Sequence, residues 1–342
     1  MMTKIEFNTY LSEEENKQAQ FKSGKDCYER GNYEEAIDLL REPAMQDHVE
    51  AKFYLGRAYT QQKFYSHAIR WLTKAAKEKH PEAQYYLGEA YFYGKGVVLD
   101  YARALELYKL ADEQGNKEAR ESLRNDSDKI KQLSTTEEYA KNVKLSRLAN
   151  QGNLGAKYDL AIAFYGGKGV LDKPTWAIEL WREAAELGHA KSQYSLGVEY
   201  SKEYSKFIPK DPEEALKLFQ KAAEQGHIDA QYRLGKHYYD KNEKPTAVGW
   251  WEKAADKGHS EAQYRLGNIY YEGIKDDADL NIVDSDKEKA FEFWKQAAVQ
   301  EHLTAQYNLG IAYKNGLGVT KDCHEALQWL RKVAEHNKKM IR

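Results

Sequence analysis

Apolar residues recur along this chain at helical spacing, and one arrangement of them returns many times. It is built on A-Q-Y-x-L-G-x-x-Y and reads "AKFYLGRAY" from Ala51, "AQYYLGEAY" from Ala83, "AKYDLAIAF" from Ala156 and "SQYSLGVEY" from Ser192. It continues as "AQYRLGKHY" from Ala230, "AQYRLGNIY" from Ala262 and "AQYNLGIAY" from Ala305, with weaker copies from Ala19 and Ala119. Counted from its first residue as position 0, Ala, Gln, Leu, Gly and Tyr stand at positions 0, 1, 4, 5 and 8. On a helix turning about 100° per residue these gather within about 140°, which predicts a helix, A, with one buried face. Each copy is followed by a second pattern, A-x-x-W/L-x-x-K-A-A-x-x-G-H, as in "AVGWWEKAADKGH" from Ala247. Its apolar positions also form a helical stripe, predicting a helix B.

The spacings say how the helices are joined. From a B start to the next A start the separation is always 15 residues, whereas from A to B it runs from 17 to 28. Fixed turns on one edge and insertions on the other are what stacked helical hairpins produce. Position 5 of helix A is Gly at Gly56, Gly88, Gly197, Gly235, Gly267 and Gly310. Glycine costs a helix about 1 kcal/mol relative to alanine, so its return predicts a neighbouring helix crossing too closely for a β-carbon. The expected organisation is an N-terminal cap segment, 1–18, and a single repeat array over 19–342. Its repeats start near 19, 51, 83, 119, 156, 192, 230, 262 and 305.

These two patterns, with the loops "YGKGV", "GGKGV" and "NGLGV", resemble the Sel-one-like repeat family, relatives of the tetratricopeptide repeat. The resemblance implies an all-α fold, a right-handed superhelical solenoid of about nine helix-turn-helix units. It also implies a non-enzymatic protein-binding scaffold, a bacterial adaptor or regulator. Bacterial members of the family include immunity proteins that neutralise secreted toxins, which makes a cognate toxin or effector the alternative partner.

Composition narrows the partner. The 342 residues carry 52 Lys+Arg against 54 Asp+Glu, a net charge of -2, so no global basic field exists for nucleic acid or an anionic membrane. No stretch approaches the roughly 18 apolar residues of a membrane span, and the start reads as cytoplasmic. Cys27 and Cys323 are the two cysteines, too few for a disulfide framework. Cysteine-rich relatives linked to β-lactams carry paired cysteines in each repeat, which this chain lacks, so an enzyme of that kind is not expected. A self-assembling structural element is the remaining class.

Chemistry-bearing residues mostly belong to the repeat. Six of the ten histidines, His48, His80, His189, His227, His259 and His302, occupy one slot after helix B. Equivalent residues of stacked hairpins stand roughly 8–10 Å apart, too far to share a metal whose ligands lie near 2 Å, so a turn role is expected, with the preceding Gly as a left-handed cap. The glycines of "YGGKGV", Tyr165 to Val170, recur after helix A and read as helix exits, since a phosphate loop needs G-x-x-x-x-G-K-[ST] between strand and helix. Tyr271 to Ala290 reads as the longest solvated insertion, and Trp71, Trp250, Trp294 and Trp329 as one core position of helix B. No catalytic residue, cofactor site or metal site is expected. The repeat from Ala119 departs from the rule, with Glu121, Arg124 and Ser127 where others carry aromatic, glycine and aromatic. Sequence drift or an altered joint would each account for that.

A candidate binding surface follows from helix geometry. Positions 2, 6 and 9 of helix A point to about 200°, 240° and 180°, away from a stripe centred near 70°. In a tetratricopeptide-like superhelix that side lines the concave groove. Position 2 supplies Phe53, Tyr85, Tyr158, Tyr194, Tyr232, Tyr264 and Tyr307, and position 9 supplies Phe92, Tyr165, Tyr239 and Tyr271. Aromatic rings give large contact area at little entropy cost; the alternative is that the tyrosine at position 2 belongs to the repeat and packs between adjacent A helices. Lys236 at position 6, with Arg233 and Arg265 at position 3, makes the C-terminal half locally basic, so the expected partner is a protein or peptide with an acidic segment.

Overall fold

The computed structural model describes residues 13–275 and 281–340. Its helices come in pairs that follow the two sequence patterns. The first four pairs are α1 (Glu13–Glu29) and α2 (Tyr33–Met45), α3 (Val49–Gln61) and α4 (Tyr65–Lys77), α5 (Pro81–Tyr93) and α6 (Tyr101–Glu113), α7 (Lys117–Leu133) and α8 (Glu137–Asn150). Next come α9 (Leu154–Gly166) and α10 (Pro174–Glu186), α11 (Ala190–Ser201) and α12 (Pro212–Glu224), α13 (Ile228–Asp240) and α14 (Lys244–Ala255). The last are α15 (Ser260–Glu272) and α16 (Lys287–Val299), then α17 (Leu303–Asn315) and α18 (Cys323–Met340). Of the N-terminal cap segment, residues 1–12 lie outside the described residues.

The chain divides into two compact units, one ending at Trp181 and the other beginning at Arg182. In the first, α1 packs on α2, α2 on α3, and so on in chain order through α7, and α8 packs on α9. In the second the same order runs from α11 to α18. Each unit is thus an all-α stack of hairpins, the solenoid arrangement. In the insertion before α16, β1 (Ile274–Lys275) pairs antiparallel with β2 (Asn281–Val283), and Ile274 is buried among Val248, Ile269 and Val283, while Tyr271, Glu272, Asp284 and Ser285 are exposed; residues 276–280 lie outside the described residues.

Close approach explains the position-5 glycines. A β-carbon on Gly56 would stand 2.9 Å from Leu72 Cγ, on Gly88 2.7 Å from Tyr108 and on Gly197 2.8 Å from Phe219. On Gly235 and Gly267 it would overlap the indoles of Trp251 and Trp294. The residue met is always at position 4 of the partner helix B. This corrects the tryptophan register: Trp294 belongs with the buried Trp251 at position 4, whereas Trp71, Trp250 and Trp329 stand at position 3.

The constant spacing of 15 also has a local cause. After helix B comes one residue in the left-handed region, Asp47, Lys79, Gly115, Gly152, Gly188, Gly226, Gly258 or Glu301, and then the N-cap of the next helix A. That N-cap is the recurring histidine. Nδ1 of His48, His80, His227, His259 and His302 accepts the backbone N–H of Ala51, Ala83, Ala230, Ala262 and Ala305 at 3.2–3.4 Å, and Asn116 and Asn153 do the same through Oδ1 at 2.8 Å. The backbone N–H of the histidine meanwhile donates to the first carbonyl of the Ala-Ala pair, as His227 does to Ala222 at 3.0 Å. The second carbonyl is satisfied by the position-1 glutamine of the next helix A. Nε2 of Gln84, Gln193, Gln231, Gln263 and Gln306 donates to Ala76, Ala185, Ala223, Ala255 and Ala298 at 3.0–3.3 Å. The carbonyls that a helix end leaves orphaned therefore find partners fixed by the repeat itself.

The repeat from Ala119 is built differently. Arg124 is exposed, and α7 buries only Ala119 and Ile130 of its 17 residues. α8, by contrast, is tied into the repeats on either side. Tyr139 stacks on Tyr101 at 5.0 Å, Asn150 Nδ2 donates to the carbonyls of Gly94 and Val97, and Asn142 Nδ2 donates to the Lys168 carbonyl at 2.7 Å. Beside it the third and fifth repeats meet directly: Trp176 Nε1 donates to the Tyr93 carbonyl at 3.3 Å, and the two rings lie 5.4 Å apart.

Candidate functional site

Position 2 of helix A turns out to face the next repeat. Phe53 stacks on the N-cap ring of His80 at 4.6 Å, Tyr194 on His227 at 4.5 Å, Tyr232 on His259 at 4.5 Å and Tyr264 on His302 at 4.6 Å. Phe21 repeats this on His48 at 4.2 Å. Phe53 is buried, and Tyr194, Tyr232 and Tyr264 are half-buried. Tyr85 is half-buried 5.8 Å from Tyr108, and burial pushes its hydroxyl pKa up. Tyr158 is half-buried on α9. Tyr307, on α17, is 49% exposed.

Position 9 rings lie over helix B of their own hairpin. Tyr239 is 5.2 Å from Trp251, Tyr271 5.4 Å from Trp294, Tyr165 5.1 Å from Trp181, and the buried Phe92 5.1 Å from Tyr101. Tyr239 and Tyr271 keep 39% and 38% of their surface exposed.

Two repeats carry a small residue at position 9, and both have a cavity there. In the first unit Thr60 borders a cavity of about 130 Å3 with Arg57, Leu72, Tyr86 and Glu89. Arg57 lies 3.6 Å above the Tyr86 ring. Glu89 accepts from the Tyr108 hydroxyl at 2.6 Å, and burial pushes its carboxyl pKa up. In the second unit Ser201 borders a cavity of about 240 Å3 with Phe219, Arg233 and Lys236. The sequence-named cations Arg233 and Lys236 thus meet in one place. Arg233 Nε donates to the Tyr194 hydroxyl at 3.3 Å, and its guanidinium lies 5.3 Å from the Phe219 ring. Lys236 is exposed. Among the described residues neither has a carboxylate partner. Arg265 differs: Nε donates to Glu261 at 2.9 Å while its guanidinium lies near Tyr232 and Trp251. Helix angles alone missed the role of Ser201, although its departure from an aromatic position was legible.

Among the described residues no group of three or more His, Cys, Asp and Glu could hold a metal ion. No helix among them is long and apolar enough to cross a membrane.

The Sel1 repeat model matches residues 81–116, 155–189, 190–227, 228–259, 260–302 and 303–338, and a tetratricopeptide repeat model matches residues 21–78. Among solved structures, a protective antigen of uropathogenic Escherichia coli with an SLR fold is 30% identical, with 94% of this chain and 70% of that one covered and a TM-score of 0.49. A Sel1 repeat protein from Oxalobacter formigenes is 24% identical over 97% of this chain and 89% of its own, with a TM-score of 0.47. An immunity protein from Pseudomonas aeruginosa is 19% identical over 75% and 81%, with a TM-score of 0.35. No curated protein matches.

Proposed function

Because this chain belongs to the Sel1 repeat family, we propose that it is a non-enzymatic scaffold which holds another protein on the A-helix side of its second unit. An acidic segment of that protein lies against Arg233, Lys236 and Arg265. Sel1 and tetratricopeptide repeats typically mediate protein–protein interaction. The observation that carries the reading is the pairing of Arg233 and Lys236, cations without carboxylate partners among the described residues, with the half-open rings of Tyr239, Tyr271 and Tyr307. Tyrosine and arginine are enriched where binding energy concentrates, and complementary charge speeds and orients association.

Capture from a lysate of the native cell, by the full chain and by Tyr271→Ala with Tyr307→Ala, tests it. Proteins retained by the parent should fall about tenfold or more with the variant, while its melting temperature drops only slightly. Equal retention by both chains, or retention no different from that of an unrelated helical protein, contradicts the scaffold. Whether the captured protein is a regulated client or a toxin separates the adaptor from the immunity role.

A further inference from the structure

The cavity beside Ser201 interrupts an otherwise repeated design. In three repeats an aromatic ring at position 9 covers the large residue at position 4 of helix B: Tyr165 over Trp181, Tyr239 over Trp251 and Tyr271 over Trp294. Ser201 cannot do this. Its hydroxyl donates to the Val198 carbonyl at 2.8 Å, and Phe219 becomes a wall of the cavity. The opposite wall, from α13, brings Arg233 and Lys236, and Lys210 stands at the rim paired with Glu203. Among the described residues of the lining, Asp240 supplies the carboxylate.

We infer that this cavity is a carboxylate subsite, which takes the side chain of one aspartate or glutamate of the partner. This rests on the scaffold reading and adds the anchor. Phe219 and Leu216 offer apolar surface to the methylenes of such a side chain. The guanidinium of Arg233, held in place by the Tyr194 hydroxyl and the Phe219 ring, retains donors for a carboxylate in the fork geometry that Arg supplies and Lys does not. Lys236 adds a second charge. The equivalent cavity in the first unit is an internal contrast: position 6 there is Glu89 rather than lysine, and its carboxyl works against a second one.

The probe is an acetylated and amidated pentapeptide, Leu-Glu-Leu-Glu-Tyr, against its counterpart with both glutamates replaced by glutamine, each titrated into the full chain by amide NMR. The glutamate peptide should shift the amides of Arg233 to Asp240 and bind at least about tenfold more tightly than the glutamine peptide. Ser201→Tyr, which restores the ring of the neighbouring repeats, should abolish the difference, and Thr60→Tyr in the first unit should leave it intact. Lys236→Glu, at an exposed position, should also abolish it, and it decides the matter should Ser201→Tyr fail to fold. Equal binding of the two peptides, no binding of either, or a difference surviving in Ser201→Tyr and Lys236→Glu overturns the subsite. The scaffold reading stands or falls separately, on the capture by Tyr271→Ala with Tyr307→Ala, because neither tyrosine lines this cavity.

Discussion

Gly235 and Gly249 both sit inside helices, yet their missing β-carbons mean different things. On Gly235 a β-carbon would overlap the Trp251 indole, whereas on Gly249 it would meet nothing within 4 Å. Gly249→Ala should therefore stabilise the protein by about 0.5–1 kcal/mol through helix propensity. Gly235→Ala should destabilise it by about 1–3 kcal/mol through overpacking. Denaturant titration of the two variants checks both signs.

The histidines make a second residue-scale prediction. Burial pushes the pKa of His227 and His259 below the ordinary histidine value, and the cap itself requires an unprotonated Nδ1. The unfolded chain then takes up protons that the fold refuses. The contribution is complete above about pH 6.5 and is lost as pH falls below it. Thermal melts at pH 7.5 and 5 should show the loss, and it should shrink in His227→Asn with His259→Asn, which keep a cap acceptor of the kind Asn116 and Asn153 already provide. The recurrence of these histidines was legible in the sequence, and so was their turn position. The tyrosine pairing was not, because a stripe argument counts one buried face, whereas a helix inside a stack has a neighbour on a second side.

Helix ends, the next scale up, are joined by side-chain rungs. Gln114 Nε2 donates to Gln84 Oε1 at 2.6 Å, Gln225 to Gln193 at 2.8 Å and Gln300 to Gln263 at 2.7 Å, each linking the end of helix B to the start of its own helix A. In the second repeat the rung is ionic: the buried Lys52 binds Glu78 at 2.6 Å and Asp47 at 2.8 Å. Burial alone lowers the Lys52 pKa, but these two carboxylates outweigh it and the net shift is upward. The repeat from Ala230 lacks its rung. Lys257 stands where the third, sixth and eighth repeats carry Gln114, Gln225 and Gln300, its Nζ donates to the Gly226 carbonyl at 2.9 Å, and Gln231 Oε1 is left buried with no partner. Lys257→Gln should restore the rung and raise stability by about 0.5–1.5 kcal/mol, measured by denaturant midpoint at unchanged slope. The unusual repeat makes an element-scale prediction too. With two buried residues in 17, α7 should exchange its amides faster than α5, while α8, tied by Asn142, Ser146 and Asn150 to loops on both sides, should be protected. Uniform protection across α5, α7 and α8 would contradict this. The sequence located the anomaly through Arg124 but could not divide it between one helix and the other, because the contacts that hold α8 lie 26 to 56 residues away in sequence, from Asn142 to Lys168 and from Asn150 to Gly94.

Over the whole molecule, the periodic residues build the stack and the exceptions to the period mark the candidate surface. The helix pairs and the fixed turns were legible because every repeat must solve the same packing problem, whereas the tryptophans of helix B were read as one position and occupy two. The cavities were not, since they arise from what Thr60 and Ser201 fail to fill. The central claim is that the partner lies along α13 and α15, on the side carrying Lys236, Tyr239 and Tyr271. Hydrogen exchange of the full chain, free and saturated with the protein it captures, tests that most directly. The account predicts new protection in the peptides covering Arg233 to Asp240 and Arg265 to Glu272, with α12, α14 and α16 unchanged beyond their ends. Protection confined to α12, α14 and α16, with α13 and α15 exchanging as in the free chain, would contradict it.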